Sequence, residues 1–113
     1  MTQEEKQLLL VDLCARLPYH TIVKYRNADV DLTQYARSVK LTECKPYLRP
    51  MSSMTEEERK EYELFANHCI VTSIGFIHLE AAPLTDWLNA HHFDYRGLIP
   101  MGLALEAKEG MYK

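Results

Sequence analysis

The chain lacks the features that would place it in a membrane or in a disulfide-stapled class. No apolar run in it approaches the roughly 18 residues that span a bilayer. Residues 1–13 carry acidic side chains before their apolar part, which is the wrong order for a signal peptide. The three cysteines, Cys14, Cys44 and Cys69, are odd in number and widely spaced, so we expect small buried hydrophobes rather than disulfides. These absences predict a cytoplasmic protein that contacts no membrane.

Motifs for metal, nucleotide and covalent chemistry are also missing. The sequence contains no HExxH, no paired CxxC motifs and no GxxxxGK[ST] loop, so we expect neither a metal nor another cofactor. Cys69, His91 and Asp94 have the residue types of a small thiol hydrolase. No glycine-rich elbow surrounds Cys69, which favours a buried, inert thiol and a protein that is not an enzyme.

Basic charge is scarce overall but concentrated in one part of the chain. The net charge is −3, which argues against a strongly basic nucleic-acid footprint. Residues 16–49 nevertheless hold seven Lys or Arg against three Asp or Glu. Within them Arg37, Lys40, Lys45 and Arg49, together with nearby tyrosines, are candidates to contact single-stranded nucleic acid. No recognised motif accompanies them, so nucleic-acid binding is the alternative and an ordinary mixed surface is favoured.

The 113 residues, 47% of them apolar, suffice for a single domain over residues 1–113 with a real core. Thr2 and Glu5 form a capping box that predicts a helix, which Pro18 ends. The helical spacing predicts an apolar face of Leu10, Leu13, Cys14 and Leu17 and a polar face of Glu5, Asp12 and Arg16.

Alternating apolar and polar residues then predict a β-meander. Its strands are expected at residues 20–25, 29–33 and 38–42, with a turn at residues 26–29 in which Asn27 takes a positive φ. One apolar face and one wet face are typical of antiparallel pairing.

The second half begins with a capping box at Thr55 and Glu58, followed by a helical stripe of Tyr62, Phe65, Ala66 and Cys69. Residues 70–79 predict a buried strand with a bulge at Gly75, or else a continuation of the helix.

After Pro83, Thr85 is expected to cap a short helix that buries Trp87 against Phe65 or Ile74. Leu103 to Leu105 predict an edge strand. The fold class is therefore α+β: a short antiparallel sheet, a meander plus one further strand, packed by about three helices.

Two unusual segments resemble a known family. KPYLRPMSSMTEEE at residues 45–58 and DWLNAHHFDYRGLI at residues 86–99, with GLALEA after them, are similar to small proteins from prophages and mobile elements of gut bacteria. The resemblance covers the C-terminal part of the chain, and the meander matches more loosely. It implies a setting in a prophage or mobile element and brings neither an assigned activity nor a catalytic residue.

The segment 45–54 is the leading candidate for an interaction loop. Its prolines reduce the entropy lost on ordering, and Tyr47, Arg49 and Met51 are residue types that anchor interfaces. The alternative is a crossover whose side chains cover the core. A smaller candidate is the turn of Asp94, Tyr95 and Arg96, whose alternative is a turn fixed by the Asp94 side chain on the backbone of a following helix.

The sequence as a whole favours an accessory protein, without enzymatic activity, that binds a protein partner or itself. A homodimer is expected, since an unpaired sheet edge and a two-fold interface suit each other.

Overall fold

A computed structural model describes residues 2–72 and 77–112, and over residues 67–72 and 77–83 it describes the backbone only. The helices are α1 (Gln3–Arg16), α2 (Leu32–Tyr35), α3 (Glu56–Thr72) and α4 (Ile77–Ala90). The strands are β1 (Ile22–Tyr25), β2 (Ala28–Asp31), β3 (Lys45–Leu48) and β4 (Leu105–Glu106), in the sheet order β2-β1-β3-β4. Strand β1 is antiparallel to β2 and β3, whereas β3 and β4 are parallel. The predicted α+β class is confirmed, but the sheet, expected to be antiparallel, is mixed because β3 and β4 are parallel.

Helix α1 begins as its capping box predicts. The Thr2 backbone N–H donates to Glu5 Oε1 at 2.8 Å, and the Glu5 N–H donates to Thr2 Oγ1 at 3.0 Å. The predicted faces are wrong in part, because Asp12 and Arg16 are fully buried and Cys14 is exposed. Neighbouring elements cover more of α1 than the predicted apolar face, so polar residues outside that face are buried as well.

The first hairpin forms around a two-residue turn. Arg26 and Asn27 both have positive φ, 49° and 69°, which confirms the expected conformation of Asn27 and matches the right-handed twist of the flanking strands. Val23 of this hairpin packs with Leu9 and Leu13 of α1 in the first core cluster.

The third strand lies later in the chain than the alternation predicts. Residues 38–42 form no strand but lead through a 3₁₀ turn at Leu41–Glu43, whose apolar side chains still pack on the first cluster. Strand β3 instead occupies Lys45–Leu48, within the segment expected to be a loop. Pro46 fits a strand here because β4 pairs only with Tyr47 and Leu48, beyond the proline.

The C-terminal part completes the sheet and a second core. Strand β4 confirms the predicted strand near Leu105, at the edge of the sheet. Leu48, Leu98, Leu103 and Ala104 form the second core cluster around it.

Helices α3 and α4 pack against each other, and they correct the prediction for residues 70–79. Residues 70–72 and 77–79 are helical rather than extended, as the alternative interpretation had it, and Gly75 lies outside the described residues. Helix α4 also runs through Pro83 and Thr85, so no separate short helix begins there. No helix in the described part of the chain is both long and apolar enough to cross a bilayer.

Candidate interaction surface

The two segments that carry the family resemblance lie side by side. The Arg49 N–H donates to the His92 carbonyl at 2.7 Å, and the Asp94 N–H donates to the Arg49 carbonyl at 2.9 Å. Arg49 and Phe93 thereby form a parallel bridge beyond the end of β3. Segments 45–58 and 86–99 are joined at this point.

The Arg49 side chain connects this junction to the start of α3. Its two terminal nitrogens donate to the two carboxylate oxygens of Glu58, each at 2.7 Å. The guanidinium carbon lies 4.3 Å from the centre of the Phe93 ring. These hydrogen bonds from Arg49 lower the pKa of Glu58 to about 2. Because Glu58 also closes the confirmed capping box with Thr55, one carboxylate fixes both the helix start and the arginine.

An aromatic row continues from Phe93 to α3. Trp87 stacks on Phe93 with ring centres 5.8 Å apart and on His91 at 4.2 Å. Phe65 lies 6.3 Å from Trp87, as predicted, while Ile74 lies outside the described residues. Trp87 is half-buried rather than buried, and its ring N–H donates to the exposed Glu61 at 2.9 Å. The row therefore reaches the protein surface.

Two open clefts flank the Arg49–Glu58 pair, and both are also lined by Met111 and Tyr112. The first, of about 380 Å³, is bounded by residues 50–55 and the C-terminal segment 106–112. The second, of about 330 Å³, is bounded by Tyr19, His20, Ala90, His91 and His92. We call these two clefts, with the four residues they share, the Arg49 surface.

The stacked rings of His92 and Tyr112 line the second cleft, and Tyr112 also lines the first. Their rings stack with centres 3.7 Å apart, and His92 Nδ1 shares a hydrogen bond of 3.1 Å with Thr21 Oγ1. Burial, and then the positive charges of Arg16, His91 and Arg49, lower the pKa of His92 to about 4. Its ring is therefore neutral near pH 7.

The Tyr112 hydroxyl bridges β1 and β3 beyond the end of their pairing. It accepts the Ile22 N–H at 2.9 Å and donates to the Tyr47 carbonyl at 2.6 Å. Burial raises the pKa of Tyr112. Sequence reasoning missed this contact, since about ninety residues separate its partners and no local pattern signals it.

The structure separates the three residues predicted in the interaction loop. Tyr47 is 5% exposed, and its hydroxyl donates to Asp29 Oδ1 at 2.9 Å. Arg49 and Met51 are half-buried and reach the surface. Tyr47 thus follows the alternative, in which the segment covers the core, while the other two residues stay available for contact.

The turn of Asp94, Tyr95 and Arg96 follows its alternative in part, because the Asp94 side chain fixes it but residues 98 and 99 form a turn rather than the expected helix. The Asp94 carboxylate accepts the backbone N–H groups of residues 98 and 99 at 2.8 and 2.9 Å. Arg96 donates to Asp12 Oδ1 at 2.8 Å and lies over the Tyr95 ring at 4.6 Å. These contacts anchor the turn to α1.

The nucleic-acid candidates Arg37, Lys40 and Lys45 are all exposed. Lys45 lines a cleft of about 300 Å³ with Lys24 and Arg26, and neither Arg37 nor Lys40 lines it. None of the three clefts described above contains all three residues.

The candidates for catalysis and metal binding form no described centre. Among the described side chains, no three His, Cys, Asp or Glu residues lie close enough together to hold a metal ion. Cys44 is buried as predicted, and burial raises the pKa of its thiol. The side chain of Cys69, on which the hydrolase hypothesis depends, lies outside the described part.

Comparison of the chain with protein-family models, curated proteins and solved structures found no match.

Proposed function

We propose that this chain is a cytoplasmic accessory protein of a prophage or mobile element that acts by binding a protein partner through the Arg49 surface. The observation that supports it is the fixed Arg49–Glu58 pair between two open clefts. The family resemblance supports the biological setting, and both of its segments contribute to this surface.

The Arg49 side chain is already held in one conformation, which favours binding. Immobilising a flexible side chain on association costs about 0.5–1.5 kcal/mol. Two short hydrogen bonds to Glu58 and the Phe93 ring already hold Arg49 before a partner arrives. Arg, Met, Tyr and Trp are enriched at interfaces, and the surface presents Arg49, Met111 and Tyr112 together.

A second copy of the chain is one form that this partner can take. Strand β3 lies inside the sheet, so the edges are β2, of four residues, and β4, of two residues. Short edges of this kind oppose strand-to-strand association. A homodimer would therefore use the Arg49 surface rather than residues 45–48.

The test fills the first cleft without replacing Arg49, whose Nη2 donates to the Ser53 backbone carbonyl at 3.4 Å. Ser53 is exposed and lines this cleft, so Ser53→Arg places a bulky cation at its mouth. Ser38→Arg is the matched control, because Ser38 is an exposed serine that lines none of the described clefts. Glu109→Arg blocks the opposite wall of the same cleft.

The variants are compared by affinity capture from the native host with mass spectrometry, and by light scattering at micromolar concentration. We expect a partner, or a dimer of about twice the 13.2 kDa chain mass, that is lost in Ser53→Arg and Glu109→Arg and kept in Ser38→Arg. Equal capture by all variants would show that the interface lies outside the first cleft. A monomer that captures nothing specific would reject the binding role.

A further inference from the structure

A third cleft, apart from the Arg49 surface, carries an unbalanced positive charge. Its volume is about 300 Å³, and it is lined by Lys24, Arg26, Asn27, Glu43, Lys45 and Leu105. It opens beside the hairpin turn, and none of its lining residues lines the other two clefts. Three cations and one carboxylate surround it.

Lys24 and Lys45 stand directly opposite each other on the antiparallel strands β1 and β3. Residues in this register point to the same face of a sheet, with Cβ atoms about 4.5–5.5 Å apart. Both side chains are exposed, and neither forms an ion pair within the described residues. Like charges placed opposite each other destabilise a sheet, so this pair weakens the fold unless an anion joins it.

The nearby carboxylates are already bound by other groups. Asp29 faces Lys24 from β2, but it accepts hydrogen bonds from the Tyr47 hydroxyl at 2.9 Å and from Lys108 Nζ at 3.0 Å. Those two hydrogen bonds are the main causes that lower the pKa of Asp29.

Glu43 is committed in the same way. It accepts from Arg26 Nε and Nη2 at 3.3 and 3.2 Å, so those two charges offset each other. Lys24 also attracts Asp29 across β1 and β2, but neither lysine has an ion pair of its own within the described residues, so the cleft keeps an excess of positive charge.

We propose that this cleft binds a phosphate monoester, with its dianionic phosphate seated between the ammonium groups of Lys24 and Lys45. A phosphate monoester carries close to two negative charges at pH 7, which match the two lysines. A carboxylate carries one charge and would leave one of the two positive charges unbalanced. Lysine binds phosphate as a point charge and needs no fixed donor geometry, which suits two flexible side chains over an open cleft.

The test titrates the full chain with inorganic phosphate at constant ionic strength and follows backbone amide shifts by NMR. We expect saturable shifts at the amides of Lys24, Arg26, Asn27 and Lys45. Lys24→Gln and Lys45→Gln should each weaken binding about tenfold or more. Lys40→Gln should bind like the wild type, since Lys40 is an exposed lysine outside the cleft.

Melting provides a second readout, which does not depend on seeing the ligand. Without phosphate, Lys24→Gln and Lys45→Gln should melt at a higher temperature than the wild type, because each removes the repulsion. Phosphate should raise the melting temperature of the wild type and of Lys40→Gln more than chloride at equal ionic strength does. It should not raise that of the two cleft variants in this way.

Phosphoserine and a nucleoside monophosphate, titrated separately, distinguish the two sources of the monoester, and tighter binding of either supports the proposal and names its source. The absence of saturable shifts, or equal weakening in Lys40→Gln, would overturn it. Tighter binding of a single-stranded oligonucleotide with no terminal phosphate would replace it with nucleic-acid binding.

Discussion

Asp12 and Arg16 form an ion pair from which water is excluded. Arg16 Nε lies 2.8 Å from Asp12 Oδ2, and neither side chain has exposed surface. Arg16 Nη2 also donates to the Phe93 carbonyl at 2.7 Å, so the pair links α1 to the segment that holds Arg49. Its Nη1 has no hydrogen-bond partner among the described residues. Asp12 receives a second cation, Arg96, at 2.8 Å.

Because Asp12 pairs with both Arg16 and Arg96, replacing Asp12 and replacing Arg16 should lower the free energy of unfolding by different amounts. Asp12→Ala leaves Arg16 buried without a counter-charge, whereas Arg16→Met leaves Asp12 paired with Arg96. Breaking a buried pair costs about 3–5 kcal/mol, so we expect that loss for Asp12→Ala and a smaller one for Arg16→Met. Urea unfolding measures both. Arg96→Met, at a partly exposed position, is the control and should cost least; the reverse order would show that Arg96 rather than Arg16 is the main partner of Asp12.

This pair also shows where sequence reasoning about the fold reaches its limit. The two capping boxes and the turn at Asn27 are local, because the interacting groups lie within a few residues of one another. Both boxes and the positive φ of Asn27 form as predicted, while the turn is shorter than residues 26–29 because β2 begins at Ala28. The burial of Asp12 and Arg16 depends on Phe93 and Arg96, which lie about eighty residues away. Opposite charges four residues apart were the only local sign of it, and such pairs usually lie on a solvated face.

Of the four residues that the two clefts of the Arg49 surface share, the sequence predicts Arg49 as a contact residue and neither Met111 nor Tyr112. Arg49 was singled out by residue type in a proline-rich segment, and it does reach the surface. Tyr47 was singled out for the same reason, yet β3 places it inside the sheet, because strand pairing decides which side chains are covered. The role of Tyr112 depends on the tail crossing two strands, which no local pattern encodes.

Removing the Tyr112 hydroxyl should destabilise the fold without removing the stacked ring. Tyr112→Phe leaves the Ile22 N–H and the Tyr47 carbonyl without this partner. Leaving such groups unsatisfied costs about 1–3 kcal/mol, which urea unfolding can measure. Tyr35→Phe, at a tyrosine 48% exposed, should change the free energy of unfolding little. Equal effects of the two substitutions would contradict the bridging role.

His92 should make stability fall between pH 6.5 and pH 4. Its pKa is about 4 in the folded chain, against an ordinary value of 6.5, so the unfolded chain binds the proton first as the pH falls. The neutral ring therefore contributes fully above about pH 6.5, and that contribution, on the order of 3 kcal/mol, is lost on acidification.

His92→Asn tolerates the φ of 62° at this position and removes the titrating group. The difference in unfolding free energy between wild type and variant should shrink through this pH window. An NMR titration of the His92 ring with a midpoint near the ordinary histidine pKa would contradict the lowered pKa of His92.

Glu58 should make stability fall at lower pH than His92 does, and Glu58→Gln tests this. Its pKa is about 2 in the folded chain, against an ordinary value of 4.5, chiefly because Arg49 hydrogen-bonds the ionised carboxylate. The stabilisation is therefore present above about pH 4.5 and is lost as the pH falls towards 2.

Glu58→Gln keeps a side chain that can complete the capping box with Thr55, so it removes the charge and leaves the helix start intact. Unfolding by urea across this window should show a smaller acid loss in Glu58→Gln than in the wild type. Glu57→Gln, its exposed neighbour in the first turn of α3, should follow the wild-type curve. If both variants lost the same amount of stability on acidification, the helix dipole rather than the bond to Arg49 would account for the effect.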